Sequence, residues 1–184
     1  MDMLIRPSLM NGEMQAIASK SHAHRLLICS ALADRKNRIR LPQSSADIEA
    51  TIDCLQAMGA NIAWEDGVCL VEPLWADSKN ILLDCAESGS TLRFLLPVAA
   101  AHCSEVAFQG AGRLPKRPLD PLIAVLESHG ISFSDHHLPL TIRGHLQAGQ
   151  YLLPGNVSSQ YITGLLLALP GLAGNSRIIL TTEL

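Results

Sequence analysis

The stretch Leu55-Gln56-Ala57-Met58-Gly59 returns 71 residues later as Leu126-Glu127-Ser128-His129-Gly130. In both, an apolar run at helical spacing stops on a glycine, which ends helices because it takes left-handed backbone at no steric cost. The first run begins near Ser45, with Ser44 or Ser45 and Asp47 as caps, and continues through Ile48, Ile52, Leu55 and Met58. The second begins at Asp120. Three further helices open at Ser21, Gly89 and Ser158, separated by 68 and 69 residues. Between the helices lie short strand-like runs: Arg38–Leu41, a hairpin over 61–72, Ile81–Cys85, Glu105–Gln109, a broken hairpin over 132–143, Tyr151–Leu153 and Arg177–Leu180. Residues 1–15 read as a weak strand with a turn at Asn11-Gly12. Alternation of strands and helices marks an α/β protein. A period near 70 is too long for the common solenoid repeats and fits βαβαββ units around a pseudo-threefold axis, about 18–80, 81–147 and 148–184. Extended by the same period, the third unit would close at about residue 215, so the chain is expected to be cut short within it.

Composition narrows the class. Of the 184 residues, 48% are hydrophobic and 17% charged, which excludes a disordered chain. Only 4% are aromatic, so the core must be aliphatic. A formal charge of −3 argues against a general nucleic-acid binder. No run of about 18 apolar residues predicts a membrane span, and the longest candidates, 94–101 and 164–173, are interrupted by Pro97 and Pro170. The N-terminus lacks the apolar segment of a secretory signal. Five cysteines without CxxC spacing read as reduced, mostly buried thiols of a cytoplasmic protein.

The chemistry-bearing residues cluster at the helix starts: Ser19-Lys20-Ser21-His22-Ala23-His24-Arg25, Glu87-Ser88-Gly89-Ser90-Thr91-Leu92-Arg93 and Asn156-Val157-Ser158-Ser159-Gln160. A helix N-terminus leaves backbone N–H groups free and carries partial positive charge, which suits an anion. Hydroxyls add donors, and glycine lets a ligand approach the backbone. Each cluster alone reads more simply as a set of helix caps and solvated cations. If the units pack about one axis, however, all three starts meet at one end of the domain around a polyanion. The loop 110–118 adds Arg117, stiffened by Pro118, as a bidentate fork for carboxylate or phosphate. The histidines have no partners at metal-ligand spacing, and no metal site is expected. Asp47 reads most simply as a helix-start residue.

Five stretches carry a resemblance: SKSHAHR (19–25), SADIEATIDCLQAMGA (45–60), ESGSTLRFLLP (87–97), KRPLDPLI (116–123) and GNVSSQYITGLLLALP (155–170). In this order the chain resembles the N-terminal part of the 5-enolpyruvylshikimate-3-phosphate synthases, the 3-phosphoshikimate 1-carboxyvinyltransferases. The resemblance implies two inside-out α/β domains with the active site between them. Residues 1–17 would pair with the other domain, and 18–184 would form the substrate-binding one. It also implies transfer of the enolpyruvyl group of phosphoenolpyruvate to the 5-hydroxyl of shikimate 3-phosphate, with release of phosphate, in aromatic amino acid biosynthesis. No metal or organic cofactor would be needed.

Position by position, Lys20 matches a lysine that touches phosphoenolpyruvate. Ser21 and Arg25 match shikimate-phosphate ligands. Gly89 and Arg117 match phosphoenolpyruvate positions, where glyphosate would also bind. Ser158 and Ser159 match ligands of the 3-phosphate, Gln160 lies between both substrates, and Arg93 matches a further site arginine. The proton-transfer residues of the family would lie outside these 184 residues, so the chain alone is expected to bind without turning over. Two features depart from the pattern: many members have Asn-Ala-Gly-Thr in place of Glu87-Ser88-Gly89-Ser90, and Ala46 replaces the first of two acidic residues. The rival readings are the sister enzyme acting on UDP-N-acetylglucosamine and a non-catalytic anion-binding module. The first would want Lys-Asn in place of Lys20-Ser21 and a cysteine at the position of Gly112.

Overall fold

A computed structural model describes residues 3–4, 6–9, 11–14, 18–73 and 81–183. Its elements run α1 (Lys20–Ala31), β1 (Asn37–Arg40), α2 (Ala46–Ala57), β2 (Asn61–Glu65), β3 (Val68–Glu72), β4 (Ile81–Asp84), α3 (Gly89–His102), β5 (Glu105–Gln109), α4 (Asp120–Glu127), β6 (Ile131–Phe133), β7 (Leu140–Gly144), β8 (Gln150–Leu153), α5 (Ser159–Ala168) and β9 (Arg177–Leu180). Nearly every expected element is present within a few residues of its expected ends. One is not: no described residue of 1–15 lies in a strand. A strand exists only as half of a ladder, and none of the described strands pairs with this segment.

The helix starts share one local cause. Ser19, Ser45, Ser88 and Ser158 each take extended backbone and accept a hydrogen bond from an amide of the first turn, at 3.4, 3.4, 3.2 and 3.3 Å. The cap of α1 is therefore Ser19, two residues before the expected opening at Ser21, and the cap of α3 is Ser88 rather than Gly89. At the other end, Gly59 and Gly130 have φ of +105° and +95°, the left-handed backbone that the repeated Leu-x-x-x-Gly stretch implied.

The strands form three small sheets. In the first the order is β1-β3-β2, all antiparallel. In the second it is β4-β5-β7-β6, with β4 and β5 parallel and the other pairs antiparallel. In the third β8 and β9 pair parallel. The pairing β1-β3-β2 is thus the pairing β5-β7-β6, and β8-β9 is the pairing β4-β5.

Helices occupy the interior and sheets the outside. On α3, Leu92 and Phe94 through Ala100 are all buried, so the helix is apolar on every side and must be covered on every side. On β4, Ile81 and Leu83 are buried while Leu82 and Asp84 are exposed, the alternation of a sheet with one wet face. A single aliphatic core runs from Ala23 to Ala168. Its most extensive helix–helix contact lies between α3 and α5. Pro97 donates no backbone hydrogen bond to the Arg93 carbonyl, and Gly164 of α5 packs there. A Cβ at Gly164 would overlap the Arg93 carbonyl oxygen and lie 2.8 Å from Pro97 Cγ. Among the described residues, no helix is long and apolar enough to cross a membrane.

Candidate functional site

The starts of α3 and α5 are tied directly together. Arg93, one turn into α3, donates from Nη1 to Gln160 Oε1 at 2.8 Å. Gln160 Nε2 donates to Ser90 Oγ at 2.9 Å. The Arg93 guanidinium lies over the Tyr161 ring, 5.6 Å from its centroid, and its buried Nε has no hydrogen-bond partner. Beside them Gly89 is buried, its Cα face covered by guanidinium groups: a Cβ built there would meet Arg117 Nη1 at 2.5 Å and Arg93 Nη1 at 3.3 Å. Two guanidinium groups therefore flank the backbone where the first-turn amides of α3 have no intrahelical acceptor.

Arg117 comes from the loop that sequence alone could equally read as mobile. The fold anchors that loop twice. Leu114 is buried, and the Tyr161 hydroxyl on α5 donates to the Pro118 carbonyl at 2.8 Å. Arg117 itself stays exposed. Glu87 lies against the same loop, so that a Cβ at Gly112 would overlap its carboxylate.

The start of α1 joins from the other side. Arg25 Nη1 donates to the Ser21 carbonyl at 2.6 Å, and its Nη2 donates to Thr163 Oγ1 of α5 at 3.1 Å. Its guanidinium stacks on Phe94 of α3, 5.0 Å from the ring centroid. Arg25 thus touches all three helices whose starts the sequence singled out. Lys20 Nζ pairs with Asp47 Oδ2 at 2.6 Å, which gives Asp47 a second task besides sitting in the first turn of α2. Both side chains remain partly exposed, so the pair contributes little stability.

Of the sequence-predicted residues, the structure brings Gly89, Arg93, Arg117 and Gln160 into one cluster and Arg25 onto α5 beside it. Lys20 and Ser21 stand exposed at the start of α1, and Ser159 exposed at the start of α5. Ser158 accepts from Gln160 N as the cap of α5. Among the described residues no group of three or more His, Cys, Asp or Glu could hold a metal ion. Cations and oriented N–H groups in this arrangement suit small, multiply charged anions.

Sequence reasoning missed Thr163 and Tyr161 as partners of Arg25 and Arg93, and Ser90 as the partner of Gln160. It also missed a buried polar row of His24, Thr51, Thr91 and Ser88 beneath the surface cations. The available signal was a polar residue at a core-facing helical position: Thr51 lies one turn before Leu55, and His24 three residues before Leu27.

Comparison with known proteins follows the same lines. Residues 5–184 match the family model of EPSP synthase (3-phosphoshikimate 1-carboxyvinyltransferase). The chain is 42% identical to the 3-phosphoshikimate 1-carboxyvinyltransferase of Clostridium beijerinckii and 39% identical to that of Clostridioides difficile, each alignment covering 98% of this chain and 44% of the relative. It therefore spans less than half the length of the curated relatives it matches. In three dimensions it superposes on an EPSP synthase from Acinetobacter baumannii with a TM-score of 0.77 at 23% identity, over 92% of this chain and 40% of that one. The enolpyruvyl transferase NikO from Streptomyces tendae follows at a TM-score of 0.61 and 17% identity, over 88% and 38%. These likenesses give the fold, an inside-out arrangement with helices within and sheets without. The extent of the family match and the identity to the curated relatives settle the kinship: this chain belongs to the EPSP synthase family.

Proposed function

We propose that this chain provides the substrate-binding face of a 3-phosphoshikimate 1-carboxyvinyltransferase, which moves the enolpyruvyl group of phosphoenolpyruvate to the 5-hydroxyl of shikimate 3-phosphate and releases phosphate. The observation that carries the reading is the pair of guanidinium groups, Arg93 and Arg117, flanking the bare backbone of Gly89. Residues 18–184 are read as the substrate-binding domain and 1–17 as a segment of its companion.

The electrostatics fit the reaction. Each substrate bears a phosphate and a carboxylate, and each phosphate carries about −1.5 to −2 charge. Two such molecules repel each other unless cations hold them. Arg117 and Lys20 face phosphoenolpyruvate in this reading. Arg25, Ser21, Ser158 and Ser159 face shikimate 3-phosphate, and Gln160, hydrogen-bonded to both Arg93 and Ser90, stands between. Holding the pair in reacting geometry removes much of the entropic barrier, and fixed donors stabilise charge as it moves onto the departing phosphate. The alternative acceptor, UDP-N-acetylglucosamine, has no support among the curated relatives quoted above, which carry the shikimate name.

Calorimetry with shikimate 3-phosphate tests the assignment. Arg25→Ala removes a charge-assisted contact, which contributes roughly 1.5–3 kcal/mol, so affinity should drop about tenfold or more. Equal affinity of the two proteins for shikimate 3-phosphate overturns the reading.

A further inference from the structure

Beneath the surface cations, four buried polar side chains from three helices line up. His24 Nδ1 on α1 lies 2.7 Å from Thr51 Oγ1 on α2. Thr51 Oγ1 lies 2.7 Å from Thr91 Oγ1 on α3. Thr91 Oγ1 donates to Ser88 Oγ at 2.7 Å, and the Ser88 oxygen caps α3 by accepting from Thr91 N at 3.2 Å. All four residues are at most 1% exposed. The row begins on the helix that carries Lys20 and Arg25 and ends on the residue just before Gly89. Both threonine hydroxyls also face the Asp47 carbonyl, at 3.4 and 3.3 Å, and Asp47 is the residue whose carboxylate holds Lys20.

Each hydroxyl has one proton to give, so the row has a direction. If Thr91 donates to Ser88, Thr51 donates to Thr91, and His24 must donate from Nδ1 to Thr51. In the reverse direction Thr51 would donate to a bare Nδ1, and the imidazole proton would sit on Nε2. That nitrogen is buried and has no partner. An orphaned N–H is rarer and costlier inside a protein than an orphaned lone pair, so the Nδ1–H form wins. Each hydroxyl then gives its proton to the nearer acceptor, Thr51 to Thr91 and Thr91 to Ser88 at 2.7 Å, rather than to the Asp47 carbonyl at 3.4 and 3.3 Å, which is the first direction. A protonated ring would bury the same orphan N–H close to Lys20 and Arg25 on α1, with only Asp47 on α2 to offset them. Burial accordingly holds the His24 pKa below the ordinary value.

We infer that His24, Thr51, Thr91 and Ser88 form a one-way hydrogen-bond row, headed by the neutral Nδ1–H form of His24, that positions the start of α3 against the starts of α1 and α2. His24, Thr51 and Thr91 are positioning residues, because they act on Gly89 and Arg93 through the Ser88 cap and on Lys20 through the α2 turn that carries Asp47. The consequence for binding rests on the function proposed above; the row itself does not.

Three measurements on the 184-residue chain test it. The first is the 15N spectrum of labelled imidazoles, with His24 assigned by loss of its signals in His24→Gln. The expected pattern is a protonated Nδ1 and a bare Nε2 through neutral pH, and an Nε2–H ring overturns the inference even where a variant fails to fold. The second is amide hydrogen exchange at Gly89, Ser90 and Thr91. Thr51→Val keeps the shape and deletes the hydroxyl, and should speed exchange about tenfold, the scale of losing a cap or buried hydrogen bond. Thr51→Ser restores the hydroxyl and should return exchange to within about twofold of the parent. Equal exchange in the valine variant, or no rescue by serine, overturns the inference. The third is binding of phosphoenolpyruvate by NMR titration in the presence of shikimate 3-phosphate. The valine variant should bind about tenfold more weakly and the serine variant normally. Altered exchange with unaltered binding removes the positioning role; failure of the parent chain to bind either compound instead refutes the proposed function and leaves the first two measurements to judge the row.

Discussion

Replacing Gly89 by alanine separates binding from folding at the centre of the site. The added Cβ would lie 2.5 Å from Arg117 Nη1 and 3.3 Å from Arg93 Nη1. Ordinary contact between such atoms begins near 3.4 Å, so the Arg117 guanidinium must withdraw by about 1 Å. Arg93 has less freedom, being held by Gln160. Both obstructing groups are the far ends of flexible side chains, and position 89 is the first residue of α3 with φ outside the left-handed range. The Arg117 contact is therefore relieved cheaply and the Arg93 contact asks for a shift of about 0.1 Å, which the restriction of the unfolded chain, about 0.4–1 kcal/mol, offsets, so the melting temperature should not fall. Binding behaves differently. A charge-assisted hydrogen bond from Arg117 contributes roughly 1.5–3 kcal/mol, so phosphoenolpyruvate should bind about ten- to 150-fold more weakly, and glyphosate likewise. Shikimate 3-phosphate, held by Arg25 and the α5 start in this reading, should lose no more than about threefold. Thermal melting and NMR titrations with each compound supply the comparison. A lower melting temperature together with equal losses for both compounds would make Gly89 a packing residue and refute the argument.

Two further outcomes follow from the same geometry. Gly164→Ala puts a methyl group against the Arg93 carbonyl and Pro97; backbone cannot step aside as a side-chain tip can, so overpacking of about 1–3 kcal/mol should lower the melting temperature by about 2–12 °C. For pH, the lowered pKa of His24 means that the folded state holds the ring neutral while the unfolded chain protonates it near pH 6.5. Unfolding then takes up a proton at His24, whose contribution to stability should be level above that pH and decline below it, by at most about 1.4 kcal/mol per pH unit; His102, also lowered by burial, adds a decline of the same sign. Urea midpoints between pH 7.5 and 5 should show this decline in the parent and a flatter profile in His24→Gln; the same profile in both would assign the dependence to other groups.

Local structure was legible in the sequence because its causes are local. A serine cap, a run of apolar residues at helical spacing and a terminal glycine are sufficient to place α2, and the first two of these signals place α3 and α5 to within a residue or two at their starts. Strand-like runs did the same for the strands from β1 onward, and spacing near 70 residues raised the expectation of a repeat. The cations were visible too, since Lys20, Arg25, Arg93 and Arg117 stand next to helix starts in the chain itself. What depended on tertiary structure was which of these groups meet. Arg93 and Gln160 are 67 residues apart, and nothing in either neighbourhood specifies the other; the α3–α5 crossing at Pro97 and Gly164 does. The loop carrying Arg117 is fixed by Tyr161 on a helix more than forty residues away. His24, Thr51 and Thr91 are unremarkable polar residues within their own helices, and they become one row only when three helices bury them together. Periodicity and capping act over one or two turns and can be read along the chain, whereas hydrogen bonds between buried side chains depend on how helices cross, which is set by the packing of the whole core.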